Sequence, residues 1–284
     1  MQFLITAIVA VVLLVGMSSS CLSGCSCISY LNGLHVTCSS RGLHSIPGNL
    51  PTNTFVLYLQ QNRITSIKSN TFNNFLKLVQ LHLDDNEISV IEDNNFNNLP
   101  NLEYLYLHEN RITSIKSDTF NNLLHLERLD LDHNYISVIE DNNFNNLPKL
   151  EILYLHNNKI TSIKSDTFSN LTNLKTLYLQ NNPISVVEEN AFYNLPNLEL
   201  KFHMYCTSCD NIPFWRWLRR QLTFTTYIYC NDFHGVRLSK IRNFNDSCTA
   251  NDGNGSVWCS RHGDWTCLVY MFFMISLQYI MSNI

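Results

Sequence analysis

The sequence predicts an α/β solenoid: a curved parallel sheet along the inner side, irregular outer segments, and a disulfide-stapled cap at each end. Three observations carry this reading. An asparagine recurs at Asn62, Asn86, Asn110, Asn134, Asn158 and Asn182, always 24 residues apart. Before each one, leucines alternate with other residues, the period-two pattern of a strand with one buried face. The ten cysteines crowd towards the two ends and leave none between Cys38 and Cys206.

Around each asparagine the pattern is LxxLxLxxNxIxxIxxxxFxxL, read in the third copy as Leu102, Leu105, Leu107, Asn110, Ile112, Ile115, Phe120 and Leu123. The first copy departs at Thr54 and Phe75, and the sixth has Val187 for isoleucine. One such turn cannot bury its own apolar face. Stacked turns bury it between neighbours, at roughly 1.5 to 3 kcal/mol for each large side chain. The asparagine falls where the strand bends away, and its amide can bond backbone groups of adjacent turns that would otherwise be buried unpaired.

This pattern and period resemble the leucine-rich repeat family, which implies a horseshoe with a parallel concave sheet. Six 24-residue turns then occupy 54–197, between an N-terminal cap at 21–53 and a C-terminal cap at 198–248.

Two phrases alternate within the repeat. ITSIKSDTF at 112–120 returns at 160–168, and ISVIEDNNF at 88–96 returns at 136–144. The residue after the second isoleucine therefore runs Lys68, Glu92, Lys116, Glu140, Lys164, Glu188. Equivalent residues of stacked turns lie about 5 Å apart. Alternation places a carboxylate on either side of each lysine, where a single phrase would oppose like charges. Such exposed pairs contribute at most about 1 kcal/mol each. Duplication of a two-turn unit would leave the same pattern with no role attached.

The N-terminal spacing Cys21-x3-Cys25-x-Cys27-x10-Cys38 leaves three connectivities open. It resembles the cap of extracellular leucine-rich repeat proteins, which implies Cys21–Cys27 and Cys25–Cys38. The segment CTSCDNIPFWRWLRRQL resembles the family's C-terminal cap, which implies Cys206–Cys230 and Cys209–Cys248. In isolation Cys206-x2-Cys209 would also fit a redox or zinc motif.

The ends of the chain carry targeting features. Residues 1–20 hold an apolar run followed by serines and read as a signal peptide. Residues 249–267 form a short polar spacer with small residues around Asn254, ahead of an apolar tail at 268–284. That order matches a glycosylphosphatidylinositol attachment signal at Asn254, with a single-pass helix as the rival. It predicts a protein held on the outer face of the plasma membrane by a lipid. Asn170, Asn245 and Asn254 each begin an N-x-S/T acceptor sequence. Asn170 falls on the convex side.

The outward strand positions carry no packing duty and are the expected ligand-binding surface. One row runs Tyr58, His82, Tyr106, Asp130, Tyr154, Tyr178, and the next Gln60, Asp84, His108, Asp132, His156, Gln180. Beside the second stand Gln61, Asp85, Glu109, His133, Asn157 and Asn181. On the other flank stand Val56, Gln80, Tyr104, Arg128, Ile152 and Thr176. Tyrosine gives large contact area at low entropic cost, and the acidic middle turns suit a basic or hydrogen-bond-donating partner. Any exposed sheet also carries some tyrosine and charge, so composition alone does not make this a site. His108, His133 and His156 read as solvated residues, with no metal and no other cofactor expected. No nucleophile–base pair, phosphate loop or catalytic carboxylate pair stands out. A formal net charge of −4, with only Arg219–Arg220 as adjacent bases, gives no phosphate-tracking patch.

The order of leader, cap, turns, cap and anchor resembles that of the variable lymphocyte receptors of jawless vertebrates. The resemblance implies a non-catalytic receptor binding a protein or glycan, antigen included, on the concave sheet and on the loop between Cys209 and Cys230. Without a cytoplasmic domain, signalling would pass through a co-receptor. The alternative is an adhesion or matrix-organising protein.

Overall fold

The computed structural model describes residues 18–21, 24–92 and 95–204, apart from 117–118, 121, 140–143, 145, 166, 169 and 189, together with 225–230 and 236–237. All belong to the unit Met1–Ile241, while Arg242–Ile284 falls in a second. The leader up to residue 17, the cap cysteines Cys206, Cys209 and Cys248, Asn245, Asn254 and the apolar tail lie outside the described residues. For Cys230 only the backbone is described.

The solenoid expected from the sequence is present. Among the described residues, twelve strands form one sheet. Each turn contributes a short strand: Thr54–Tyr58, Gln80–His82, Tyr104–Tyr106, Arg128–Asp130, Ile152–Tyr154 and Thr176–Tyr178. They pair in parallel without slippage, so that Tyr58, His82, Tyr106, Asp130, Tyr154 and Tyr178 share one row. The next strand, Glu199–Met204, arrives one residue early, with Lys201 opposite Tyr178, and pairs in turn with Thr225–Cys230. The sheet therefore runs on into the C-terminal cap region.

The outer side is made of turns and two-residue parallel pairs, such as Ser66–Ile67 with Val90–Ile91 and Ser114–Ile115 with Val138–Ile139. No α-helix occurs among the described residues, and no helix there is long and apolar enough to cross a membrane. Among the described residues the outer segments are turns, the irregular outer side expected from the sequence.

The apolar positions of the repeat are buried, with Leu105, Leu107, Phe120 and Leu123 fully enclosed, except Ile91 and Ile139, which are partly exposed. The phenylalanines Phe72, Phe96, Phe120, Phe144, Phe168 and Phe192 stack as a spine, with successive ring centres 5.7 to 6.3 Å apart. Their planes lie within 20° of parallel. Offset aromatic pairs of this kind add about 0.5 to 1.5 kcal/mol each beyond area burial.

The recurring asparagine forms the expected ladder. Asn110 Nδ2 donates to Leu83 O at 2.9 Å in the preceding turn and to Leu107 O at 3.1 Å in its own. Its Oδ1 accepts from the Ile88 N–H at 2.9 Å. Asn62, Asn86, Asn134, Asn158 and Asn182 repeat the pattern. These bonds satisfy backbone groups that the bend removes from the sheet.

The residue before each ladder asparagine adopts a left-handed backbone: Gln61, Asp85, Glu109, His133, Asn157 and Asn181 have φ between 52° and 58°. None of the six is glycine, so each turn carries a mild backbone cost that the ladder holds in place.

At the N-terminal end, Ser26–Tyr30 and Gly33–Thr37 form an antiparallel hairpin whose second strand runs parallel to Thr54–Tyr58. Cys21 pairs with Cys27, and Cys25 with Cys38. Ser18–Ser20, inside the expected leader, pairs with Ser26–Ile28.

The acidic phrase acquires a role beyond charge alternation. Glu92 Oε2 accepts from the Ser69 N–H, and Glu188 Oε2 from the Ser165 N–H, both at 2.8 Å and both reaching into the preceding turn. Further ion pairs also bridge turns, with Arg111 on Glu87 at 3.0 Å and Lys175 on Glu151 at 2.6 Å.

The candidate recognition face

Parallel register places equivalent side chains of successive turns side by side, and on the outward row they are aromatic. Tyr58 stacks on His82 with centres 4.7 Å apart, and His82 on Tyr106 at 4.4 Å. Further along, Tyr154 stacks on Tyr178 at 4.9 Å.

The sequence places Asp130 in this row between Tyr106 and Tyr154, as an interruption. The structure closes the gap from the neighbouring row. The Arg128 guanidinium lies 5.4 Å from the Tyr106 ring centre and 4.8 Å from that of Tyr154. It donates to Asp130 through Nε at 2.9 Å and through Nη2 at 2.8 Å. Cation–π contact on both flanks thus makes one stripe from Tyr58 to Tyr178. Its members are half-buried by one another.

Two expectations are corrected here. Asp130 does not face a ligand freely: it is only 4% exposed, covered by Arg128. Val56 is 2% exposed, because the capping hairpin lays His35 beside it. Gln60, Gln80, His82, Asp84, Tyr104, His108, Asp132, Ile152, His156 and Gln180 are partly exposed, as the outward rows require.

Burial shapes the titration of this face. It raises the Tyr106 and Tyr154 hydroxyls above the ordinary phenol value, partly offset by Arg128. Burial also raises Tyr104, assisted by Glu127, whose Oε2 accepts from the Tyr104 hydroxyl at 3.2 Å. Hydrogen bonding to Asp130 raises the Arg128 guanidinium still further. Asp130 itself is raised as well, since burial outweighs the pull of Arg128. The partners thus point different ways. The direction at Asp130 is the informative one, because it shows that desolvation dominates this pair. His156 is lowered by burial, with Asp132 opposing.

The second row holds a regularity absent from the expectations. Asp84, His108, Asp132 and His156 alternate acid and imidazole, one per turn. His108 Nε2 lies 3.8 Å from Asp84 Oδ2, and His156 Nε2 lies 3.5 Å from Asp132 Oδ2. His133 Nδ1 also lies 2.8 Å from Asp132 Oδ2. His108 thus sits beside Asp84, and His133 and His156 beside Asp132, each keeping some exposure to solvent. The 24-residue alignment already contains the Asp–His alternation, which could have signalled it.

Asn170 is exposed on an outer turn, away from this face.

Fold and face together define a repeat protein whose inner sheet carries an aromatic row. The Leucine rich repeat family matches residues 53–112, 100–160 and 148–200, together just over half of the chain, and the chain belongs to that family. Leucine-rich repeat-containing protein 3B of Homo sapiens is 41% identical over 78 residues, 28% of this chain and 30% of that protein. Biglycan of Xenopus laevis is 44% identical over 61 residues, 22% of this chain and 16% of that protein. Among solved structures, TLR13 in complex with ssRNA13 superposes with a TM-score of 0.54 at 27% identity, covering 63% of this chain and 26% of that one. The matched part is less than a third of each of these relatives. They carry the wider family and not the narrower resemblance to variable lymphocyte receptors.

Proposed function

We propose that this chain is a non-catalytic recognition receptor of the cell surface. It takes a protein or glycan ligand, antigen included, on the stripe from Tyr58 to Tyr178. The observation that carries this is the continuity of that stripe: aromatic faces bridged by Arg128, bordered by Asp84 and Asp132. Rigid, mutually stacked rings lose little entropy on binding, which suits an anchor surface. The acidic border favours a basic or donor-rich partner and disfavours a polyanion, so a nucleic-acid ligand of the kind bound to TLR13 is not part of this reading.

A leader at 1–20, glycans at Asn170 and Asn245, pairs Cys206–Cys230 and Cys209–Cys248, and a lipid anchor at Asn254 complete the proposal. Signalling would then require a co-receptor. A second reading is an adhesion or matrix-organising protein.

Cells displaying the full chain separate the two readings. A receptor binds soluble candidate ligands and loses them in a Tyr106→Ala/Tyr154→Ala variant, without clustering of the displaying cells. Clustering that depends on the same tyrosines identifies the adhesion role. Ligand capture and clustering that both ignore those tyrosines would remove the stripe from either account. Release of the protein by a phosphatidylinositol-specific phospholipase tests the anchor.

A further inference from the structure

We infer that Asp132, His133 and His156 form a binding site for a divalent transition metal, Zn2+ being the natural probe, beside the aromatic stripe. One ligand atom from each lies within 4.8 Å of the others.

The distances suit a tetrahedral ion. Ligand bonds of roughly 2.0 to 2.1 Å place neighbouring ligand atoms about 3.3 Å apart. Asp132 Oδ2 lies 2.8 Å from His133 Nδ1 and 3.5 Å from His156 Nε2. The remaining separation, between His133 and His156, is within 4.8 Å, so the imidazoles must rotate to share one ion.

The backbone explains why consecutive residues converge. In a strand, Asp132 and His133 would point to opposite faces. The strand ends at Asp130, and the left-handed backbone of His133 (φ 53°) brings both side chains together. His156 enters because it occupies the position of Asp132 one turn later. It would bind through Nε2, the nitrogen nearest Asp132, which leaves the ring proton on Nδ1, an atom buried without a hydrogen-bond partner.

Two amides stand behind His133 and can serve as an outer layer once turned. Asn157 Nδ2 lies 2.9 Å from His133 Nε2, and Asn181 Nδ2 donates to Asn157 Oδ1 at 2.7 Å. With the metal on Nδ1, the His133 proton resides on Nε2, and the Asn157 and Asn181 amides must both turn, so that Asn157 Oδ1 accepts from His133 and Asn181 Oδ1 accepts from Asn157. Orienting partners of this kind accompany most metal-bound histidines. Two imidazoles and one carboxylate, with a fourth position left to water, is a donor set that Zn2+ accepts.

A neighbouring group, His108, Asp130 and Asp132, shares one carboxylate with this site. It is the poorer candidate, since both Asp130 oxygens already accept from Arg128.

The test is calorimetric titration of the purified full-length chain with Zn2+, and with Co2+ for its ligand-field spectrum. One equivalent is expected to bind, with a tetrahedral Co2+ spectrum. Asp132→Asn and His156→Ala should each weaken Zn2+ at least tenfold, and Asn157→Leu about tenfold. His108→Ala should stay within about threefold, and each variant should match the wild type in thermal unfolding with chelator present. Should Asp132→Asn unfold, His156→Gln replaces it as the test. No Zn2+ binding by the wild type overturns the inference. So does binding that survives both Asp132→Asn and His156→Ala, or a loss as large in His108→Ala.

Discussion

Arg128 donates two hydrogen bonds to Asp130, two residues along the same strand, at 2.9 and 2.8 Å. The guanidinium stands between Tyr106 and Tyr154 and covers a carboxylate that is 4% exposed. Removing the arginine takes away both hydrogen bonds of that carboxylate and opens it in part to water. Arg128→Ala is expected to cost about 2 to 3 kcal/mol, below the full penalty of a buried pair because the arginine is partly solvated. Asp130→Asn should cost less, about 1 kcal/mol, since the arginine left behind reaches water. Denaturant unfolding of the two variants checks the order.

The ladder makes a sharper claim about stability. Asn110 satisfies two carbonyls and the Ile88 N–H from a site 4% exposed. Asn110→Ala leaves the Ile88 N–H buried and unpaired, while Leu83 O and Leu107 O each keep one bond, from Asn86 and Asn134. The substitution should cost roughly 1 to 3 kcal/mol. Asn134→Ala should behave alike, and loss of amide protection at Ile112, whose N–H donates to Asn134 Oδ1, can be followed by hydrogen exchange.

Core and face should separate cleanly. Phe120 is fully buried within the spine, so Phe120→Ala is expected to cost about 3 to 5 kcal/mol. Tyr106→Ala removes stacking from a half-buried outward position and should cost roughly 1 kcal/mol. Thermal unfolding distinguishes them.

The left-handed positions respond to backbone freedom. At Glu109 (φ 53°), glycine relieves the steric cost but adds chain entropy in the unfolded state. Glu109→Gly should therefore lie within about 0.5 kcal/mol of the wild type. Glu109→Val places a β-branched residue there and should lose about 1 to 2 kcal/mol. Urea midpoints measure both.

Stability should fall on acidification. Burial lowers His35 and His203 below the ordinary histidine value of 6.5. The unfolded chain then binds more protons than the folded one between 6.5 and the lowered values. Their contribution is whole above 6.5 and is lost as pH falls through that window. The urea midpoint should be lower at about pH 5.5 than at about pH 7.5. His35→Phe, at a ring set between Tyr30 and Phe55, should narrow the difference.

Much of this architecture is legible in the repeat itself. A 24-residue period with fixed Leu, Asn, Ile and Phe positions dictates the coil, the ladder and the phenylalanine spine, because each follows from stacking identical units. It also assigns Tyr106 and Tyr154 to one outward row. What the period cannot encode is contact between rows. Arg128 crosses from its own row to cover Asp130, and Glu92 reaches a backbone amide in the preceding turn. Val56 looks outward by its place in the repeat, yet the capping hairpin buries it, since the cap follows no period. His133 and Asp132 meet only through a left-handed turn that adjacent residues in a strand would not make.

The account turns on the inner sheet as the surface of contact. The most direct measurement compares ligand binding by the displayed full chain in two double variants. Tyr106→Ala/Tyr154→Ala lies on the stripe, and Tyr135→Ala/Val138→Ser on exposed positions elsewhere on the turns. The account predicts at least a tenfold loss in the first and near wild-type binding in the second. Equal binding by both variants, or a loss confined to the second, would contradict it.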